Sequence, residues 1–133
     1  ATRVALDVAS ALDYLHTLQP VAVLHQDLKS PNVLMASLDA DAPVVAKVTD
    51  FGASERMYVS RMRALTPRSR TVANPAWAAP EMLRVGGTYD ASADVYSYGI
   101  VLWELVTRSR PFDSYRFATH AQLEDALLAA AAP

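Results

Sequence analysis

The chain contains no cysteine, few histidines and nearly equal numbers of acidic and basic residues. The lack of cysteine among 133 residues excludes disulfides, thiolate metal sites and cysteine nucleophiles. Three scattered histidines exclude a histidine metal cage. The 12 basic and 14 acidic side chains give a formal net charge of −2, so we expect no nucleic-acid partner. No apolar run approaches the roughly 20 residues of a membrane span, and no signal peptide opens the chain. We therefore expect a cytoplasmic, intracellular protein without a membrane segment.

The apolar residues that are present suffice for one modest core. Hydrophobic residues make up 52% of the chain, although 24 residues are alanine. This composition excludes a generally disordered chain. The length fits one compact domain or one lobe of a larger domain.

Helices dominate the predicted structure. Apolar residues at three- and four-residue steps predict an amphipathic helix over 2–18. A second helix, apolar almost all round, is predicted from a cap at Ser92 to about residue 107 and should be central and buried. A short helical turn is expected near 79–83, and residues 117–132 favour a last helix with exposed apolar surface.

Strand-like segments are short and few. Apolar runs predict strands at 21–24, 33–35 and 44–48, and the last two should form a hairpin. Residues 53–77 show neither the apolar periodicity of a helix nor that of a strand, and they carry five arginines. This pattern predicts a long functional or mobile loop. A sharper hypothesis is that this loop docks an acidic or prephosphorylated substrate.

Four polar side chains are predicted to meet at one edge of the hairpin. Asp27, Lys29 and Asn32 lie in the loop before its first strand, and Asp50 follows its second strand. Hard oxygen ligands suit Mg²⁺, and a lysine offers a point charge to phosphate. One carboxylate is left to accept a hydroxyl proton. Each aspartate judged alone also fits an ordinary turn residue, whereas the combined set favours a magnesium–phosphate site.

Several segments together resemble the eukaryotic protein kinase catalytic domain, and their order and spacing are more specific than any single match. Residues 25–32 (HQDLKSPN) are similar to the catalytic loop, and residues 50–52 (DFG) are similar to the metal-binding triplet. Further along the chain, residues 79–81 (APE) are similar to the end of the activation segment, and residues 94–105 are similar to the central helix of the large lobe. Residues 29–32 and 74–77 further resemble the tyrosine-kinase-like group of Ser/Thr kinases.

The resemblance implies an α+β fold, a mainly α-helical kinase large lobe with a small β-hairpin. Residues 1–133 would form a partial kinase domain, from the helix before the catalytic loop through the helix after the central buried helix, with the small lobe and the C-terminal helices missing. The implied function is ATP-dependent phosphoryl transfer to Ser or Thr, and less favourably to Tyr, of a protein substrate, with ATP and Mg²⁺ as cofactors. We expect the isolated chain to be inactive. The alternative is a non-catalytic, truncated lobe that acts as a binding or regulatory module.

The same resemblance implies a role for each polar residue of the set. Asp27 would orient the substrate hydroxyl and accept its proton, and Lys29 would stabilise charge on the transferring phosphoryl group. Asn32 and Asp50 would hold magnesium. These two residues and Lys29 would also bind the nucleotide, and Leu34 would form the floor beneath the adenine.

Other matched positions would support the site. His25 and Phe51 would stack in the hydrophobic column that couples the two lobes, and Gly52 completes the metal-binding triplet. Asp94 would accept backbone N–H bonds from the catalytic loop. Glu81 would lack the arginine that usually pairs with it.

Asn74 and Trp77 would lie on the substrate side of the site. Asn74 replaces the threonine that usually bridges the catalytic Asp and Lys, and we expect the exchange to be tolerated. Trp77 and Trp103 are also predicted as core anchors. The remaining side chains of interest are predicted to lie at the surface: His16, His120 and Lys47.

Gln26 stands where most kinases have an arginine that pairs with a phosphate on the activation segment. Because glutamine carries no charge, we hypothesise that activation does not depend on a phosphate bound at this position. A requirement of the native protein for such a phosphate would contradict this hypothesis. The candidate phosphorylation sites of the segment are Ser54, Ser60, Thr66, Ser69 and Thr71.

Overall fold

The chain folds into four helices and three short two-stranded ribbons within the residues that the structure describes. The structure is a computed structural model, and it describes residues 1–39, 41–58, 66–67, 72, 74–84 and 88–131. The helices are α1 (Thr2–Thr17), α2 (Pro80–Leu83), α3 (Ala91–Thr107) and α4 (His120–Ala130). The strands are β1 (Val21–Leu24), β2 (Val33–Met35), β3 (Ala46–Val48), β4 (Glu55–Tyr58), β5 (Thr66–Pro67) and β6 (Thr88–Tyr89).

The strands pair antiparallel in three ribbons, β1 with β4, β2 with β3 and β5 with β6. The predicted hairpin is confirmed as β2–β3, with Val33 opposite Val48. Its second strand begins at Ala46 and is therefore shorter than the expected 44–48. The backbone N–H of Val45, just before the strand, donates to the Asp7 carboxylate at 2.7 Å.

The loop predicted over 53–77 contains a strand that periodicity did not reveal. β4 pairs with β1 in a register that sets Leu24 opposite Glu55. Its partner strand, not an alternation of its own residues, defines this element. Most of the arginine-rich stretch lies outside the described residues, and so do the candidate phosphorylation sites Ser60, Ser69 and Thr71.

Two buried clusters hold the loop that follows β1. One joins α1, this loop and α3 through Val8, Leu12, Leu28 and Val101. The other joins β1, α2 and α3 through Leu24, Ala79, Met82 and Ala93. Because Leu24 and Leu28 belong to different clusters, the backbone between them is anchored at both ends. Apolar burial of this kind is the main stabilising contribution in a small core.

α3 is buried along one side only, whereas the sequence predicted a central, buried helix. Its buried residues include Asp94, Ser97 and Val101, which recur at helical spacing. Trp103 points away from this side and is 44% exposed, so it is not a core anchor. The helix is capped by Asp90, whose carboxylate accepts from the N–H of Ser92 at 2.7 Å, and not by Ser92 itself.

The last helix is shorter than predicted. α4 begins at His120, with Thr119 as its cap, because the Thr119 hydroxyl accepts from the N–H of Gln122 at 3.3 Å. One leucine, Leu123, is buried, and Leu127 and Leu128 are half-buried. Among the helices of the described ranges, none has the length and apolar character to cross a bilayer.

Candidate active site

A buried carboxylate fixes the backbone of the loop after β1. Asp94 on α3 is 1% exposed, and its Oδ2 accepts the N–H of His25 at 2.8 Å. Its Oδ1 accepts the N–H of Gln26, also at 2.8 Å. Gln26 has φ 64°, a left-handed conformation that is uncommon for residues other than glycine. The two bonds from Asp94 hold this bend, which carries the chain to Asp27.

Asp27 lies at the centre of a compact polar cluster. Its Oδ2 is 2.6 Å from Lys29 Nζ, and its Oδ1 accepts from Asn74 Nδ2 at 3.3 Å. Asn32 Nδ2 donates to the backbone oxygen of Asp27 at 2.8 Å. The structure therefore brings together three residues of the 25–32 loop and one residue distant in sequence. Each oxygen of the Asp27 carboxylate has its own donor, which fixes the plane of the group.

Asp50 approaches the same cluster from the end of β3. The N–H of Thr49 donates to the backbone oxygen of Asn32 at 2.9 Å, so the two segments run side by side. Asp50 adopts φ 63°, and its Oδ1 accepts from the N–H of Gly52 at 3.3 Å. A Cβ at Gly52 would lie 3.2 Å from that same oxygen, so a side chain there would press on the Asp50 carboxylate.

His25 and Phe51 connect the catalytic loop to the segment that carries Asp50. Their rings lie 4.9 Å apart at an angle of 55°. His25 is fully buried, and its Nε2 lies 3.0 Å from the backbone oxygen of Thr49. Phe51 is 47% exposed, and Leu34 on β2 is 55% exposed. This edge of the hairpin thus presents two apolar side chains beside the polar cluster.

The donor set fits a magnesium ion that is shared with a ligand. Asn32 offers an amide oxygen and Asp50 a carboxylate, both of which are suitable for Mg²⁺. Within the described part of the chain, no three His, Asp or Glu side chains are grouped so as to hold a metal ion by themselves. Mg²⁺ usually keeps such an incomplete protein shell and takes its other ligands from water and phosphate oxygens.

Two of the predicted site residues lie away from the polar cluster. The Nε1 of half-buried Trp77 donates to Glu104 on α3 at 2.8 Å. Glu81 lies on α2 and makes no ion pair with the other described residues. Burial raises the pKa of the Tyr96 hydroxyl, and the Glu81 carboxylate nearby raises this pKa further. The neighbouring Met82 packs in one buried cluster with Ala93, so this part of α2 lies against α3.

His16 is not a surface residue, in contrast to the prediction. Its Nε2 lies 2.8 Å from Asp94 Oδ2, and its side chain is 14% exposed. The signal was present in the sequence, because His16 follows the buried Val8 and Leu12 at four-residue steps and shares their face of α1. Lys47 and His120 are exposed, as predicted.

Glu104 was also missed by the sequence analysis. It follows Val101 by three residues and so lies on the buried side of α3, and its carboxylate accepts from both Ser30 and Trp77. A charged residue within an otherwise buried helical stripe was the signal that could have revealed it.

Comparison with known proteins identifies the family of this chain. The model of the protein kinase domain matches residues 1–130, and the chain belongs to this family. The chain is 43% identical over 117 residues to "Probable serine/threonine-protein kinase pats1" and 44% identical over 126 residues to "Probable serine/threonine-protein kinase roco5", both from Dictyostelium discoideum. A third relative from this organism, "Cyclic GMP-binding protein C", is 40% identical over 127 residues.

These alignments cover most of the chain but little of each relative. They include 88%, 92% and 95% of this chain. They correspond to 3%, 4% and 5% of the three relatives, in the same order. The similarity therefore concerns the kinase domain, and the rest of each relative has no counterpart in the 133 residues.

Proposed function

We propose that this chain is the large-lobe core of a protein kinase that transfers the terminal phosphoryl group of ATP to serine or threonine of a protein substrate. The observation that carries the proposal is the held carboxylate of Asp27, with Lys29 at 2.6 Å from one oxygen and Asn74 at 3.3 Å from the other. Phosphoryl transfer depends mostly on positioning and on charge stabilisation, and this arrangement is suited to both.

Asp27 and Lys29 are the proposed catalytic residues. Asp27 orients the hydroxyl of the substrate and accepts its proton at a carboxylate oxygen. Lys29 stabilises negative charge on the transferring group, and its contact with Asp27 keeps the ammonium group close to the point of transfer. Asn74, and beyond it Trp77, would face the protein substrate.

Asn32 and Asp50 are the proposed magnesium ligands, and together with Lys29 and Leu34 they would bind ATP. Magnesium, when bound, neutralises charge on the phosphate oxygens. The exposed apolar surface of Leu34 is suited to an adenine ring. The nearby glycine of the triplet, Gly52, leaves the Asp50 carboxylate unobstructed.

Four further residues would support the site without touching the substrate. Asp94 holds the catalytic loop, and His25 with Phe51 links this loop to the triplet. Glu81 would stabilise the end of the activation segment next to α3. These roles follow from the contacts together with the family resemblance.

The finer assignment is to the tyrosine-kinase-like group, whose members mostly phosphorylate Ser and Thr. The residues at 29–32 and 74–77 support it, and the serine/threonine kinase names of two relatives agree with the preference for hydroxyl type. Because ATP is the proposed phosphoryl donor, the proposed location is intracellular.

The substitution Asp27→Asn tests the proposal in the protein as it is naturally encoded. We expect kcat for a protein substrate to fall by about 10²- to 10⁴-fold, the usual contribution of a general base, with Mg-ATP binding retained. Asp41→Asn, which changes an exposed acid in the hairpin turn, is the matched control and should leave kcat unchanged. Absence of phosphotransfer by the unaltered protein, or full activity of Asp27→Asn, would reject the proposed function.

A further inference from the structure

Glu104 on α3 connects two parts of the site that are far apart in sequence. Its Oε1 accepts a hydrogen bond from the Ser30 hydroxyl at 2.8 Å. Its Oε2 accepts from Trp77 Nε1, also at 2.8 Å. Hydrogen bonds to a charged acceptor are stronger than neutral ones. One carboxylate therefore links the catalytic loop to the 74–77 turn.

The two links close a ring of contacts around Asp27. On one side, Lys29 directly precedes Ser30, which bonds to Glu104. The Nζ of Lys29 lies 2.6 Å from Asp27 Oδ2. On the other side, the N–H of Trp77 donates to the backbone oxygen of Asn74 at 3.4 Å, and Asn74 Nδ2 donates to Asp27 Oδ1 at 3.3 Å. Each carboxylate oxygen of Asp27 is held by a segment that Glu104 holds in turn.

α3 gives Glu104 a fixed base. Ser97 and Val101 are buried on the same side of this helix. The Ser97 hydroxyl donates to the backbone oxygen of Trp77 at 2.7 Å, so the 74–77 turn is bound to α3 by its backbone as well as by its indole. The catalytic loop has its matching link to this part of the helix through Ser30 and Glu104. Loss of Glu104 would therefore free the Ser30 part of the loop more than the turn, whereas the bonds from the N–H groups of His25 and Gln26 to Asp94 would still hold the start of the loop.

We propose that Glu104 is a positioning residue that sets the orientation of the Asp27 carboxylate toward the protein substrate. This inference rests on the proposed kinase function and adds a residue that neither the motifs nor the family match assigns. Glu104 acts through hydrogen bonds to Ser30 and Trp77 and does not touch the reacting atoms. Of the residues proposed to bind Mg-ATP, Lys29 belongs to the ring, whereas Asn32 has its own hydrogen bond to the Asp27 backbone oxygen at 2.8 Å. Glu104 should therefore affect the use of the protein substrate more than the binding of Mg-ATP.

The first test compares two substitutions of Glu104 in the protein as it is naturally encoded. Glu104→Leu removes both acceptors, and we expect kcat/KM for a peptide substrate to fall by about tenfold. The dissociation constant of Mg-ATP should stay within about twofold, which also shows that the variant is folded. Glu104→Gln should retain most of the activity, because its amide oxygen accepts from Trp77 and its NH₂ group donates to the Ser30 hydroxyl. Asp125→Leu, at an exposed acid of α4, is the control and should leave both values unchanged.

The second test measures whether the two links act together. Ser30→Ala removes the hydroxyl donor, and Trp77→Phe removes the indole donor while keeping an aromatic ring. We expect the effects of these substitutions on kcat/KM to be non-additive in the presence of Glu104 and additive in the Glu104→Leu background. Additive effects in both backgrounds would contradict a ring closed by Glu104.

Three results would overturn the inference while the kinase function stands. They are an unchanged kcat/KM in Glu104→Leu, an equal loss of Mg-ATP affinity, and a Glu104→Gln variant no better than Glu104→Leu. If the unaltered protein transfers no phosphate, the proposed function fails. In that case NMR still tests whether Glu104 closes the ring of hydrogen bonds around Asp27. The indole N–H signal of Trp77, identified by its loss in Trp77→Phe, should be protected from exchange and lose this protection in Glu104→Leu. Persistent protection would show that the ring is wrong.

Discussion

At the scale of single residues, the geometry of the catalytic loop depends on the buried carboxylate of Asp94. Its two oxygens accept from the backbone N–H groups of His25 and Gln26, and Oδ2 also lies 2.8 Å from the His16 ring. A carboxylate with 1% exposure is tolerated because these donors compensate for the loss of water. Removal of its charge should therefore cost more than the removal of an ordinary surface charge.

We predict that Asp94→Asn lowers the free energy of unfolding by about 3 kcal/mol. The asparagine NH₂ group would replace one acceptor oxygen and face a backbone N–H, which leaves a buried donor without a partner. Urea denaturation measures the change. Asp90→Asn on the same helix is the matched control, and it should change stability by less than about 0.5 kcal/mol because asparagine caps a helix as well as aspartate does. Equal losses in both variants would contradict the special role of Asp94.

The site residues that could be predicted from the sequence lie in one short motif, whereas those that were missed act through contacts to distant residues. Asp27, Lys29 and Asn32 stand within a few positions of one another, so a contiguous motif identified them. His16 acts through a contact to a residue 78 positions away in sequence, and Glu104 acts through contacts to residues 74 and 27 positions away. Helical spacing could have placed both on a buried face, although His16 was predicted at the surface and Glu104 was missed. No local pattern identifies the partner of either residue across the fold. Long-range partners of this kind need the tertiary structure.

At the scale of elements, α1 binds the β2–β3 hairpin through two polar side chains on successive turns. The Asp7 carboxylate accepts from the N–H groups of Val45 and Ala46 at 2.7 and 3.0 Å. Arg3 Nη2 donates to the backbone oxygens of Ala42 and Pro43, which lie just before β3, both at 3.1 Å. The hairpin ends next to Asp50, so this clamp orients the strand that leads to the proposed metal ligand.

Asp7 gives a prediction for acid pH. The hydrogen bond from the Ala46 N–H, followed by that from Val45 and by the Arg3 charge, holds the pKa of Asp7 below its ordinary value of 3.8. A carboxyl group with a lowered pKa in the folded state stabilises the protein above its unfolded-state pKa, and this contribution is lost as the pH falls through the folded-state value. We therefore expect Asp7→Asn to be less stable than the unaltered chain at pH 7.

The two proteins should converge in stability as the pH falls below about 4, because protonated Asp7 and asparagine both keep one acceptor oxygen without the charge. Urea denaturation from pH 7 to pH 2.5 measures the difference. Asp13→Asn, at an exposed acid of the same helix, should follow the unaltered chain throughout. A difference between Asp7→Asn and the unaltered chain that stays constant with pH would contradict the clamp.

The elements with their own periodicity could be predicted, and those defined by partners could not. α1 and the β2–β3 hairpin have clear apolar patterns, and the structure agrees with the predicted bounds within two residues, with the largest difference at the start of β3. β4 has no such pattern, because pairing with β1 alone makes it a strand. α3 is apolar on most sides, so the sequence identified the helix but could not indicate which side is buried.

At the scale of the whole molecule, the 133 residues would supply one side of the proposed nucleotide site. The sequence contains four glycines and no glycine-rich loop of the kind that covers phosphates in protein kinases. Its two lysines are Lys29, which contacts Asp27, and Lys47, which is exposed on β3. The chain therefore has no second lysine placed to bind the phosphates of ATP. The apolar edge with Leu34 and Phe51 is open beside the polar cluster.

We predict that the 133-residue chain by itself transfers no measurable phosphate, although it carries Asp27, Lys29, Asn32 and Asp50. Catalysis of phosphoryl transfer comes mostly from holding the nucleotide in line with the acceptor hydroxyl, and one lysine with two metal ligands leaves the nucleotide free to reorient. The measurement is transfer of labelled phosphate to a protein substrate, with the Asp27→Asn chain as the blank. The protein as it is naturally encoded is assayed beside it as the positive control. Turnover by the 133-residue chain above this blank would show that these residues form a sufficient kinase, and it would overturn the prediction.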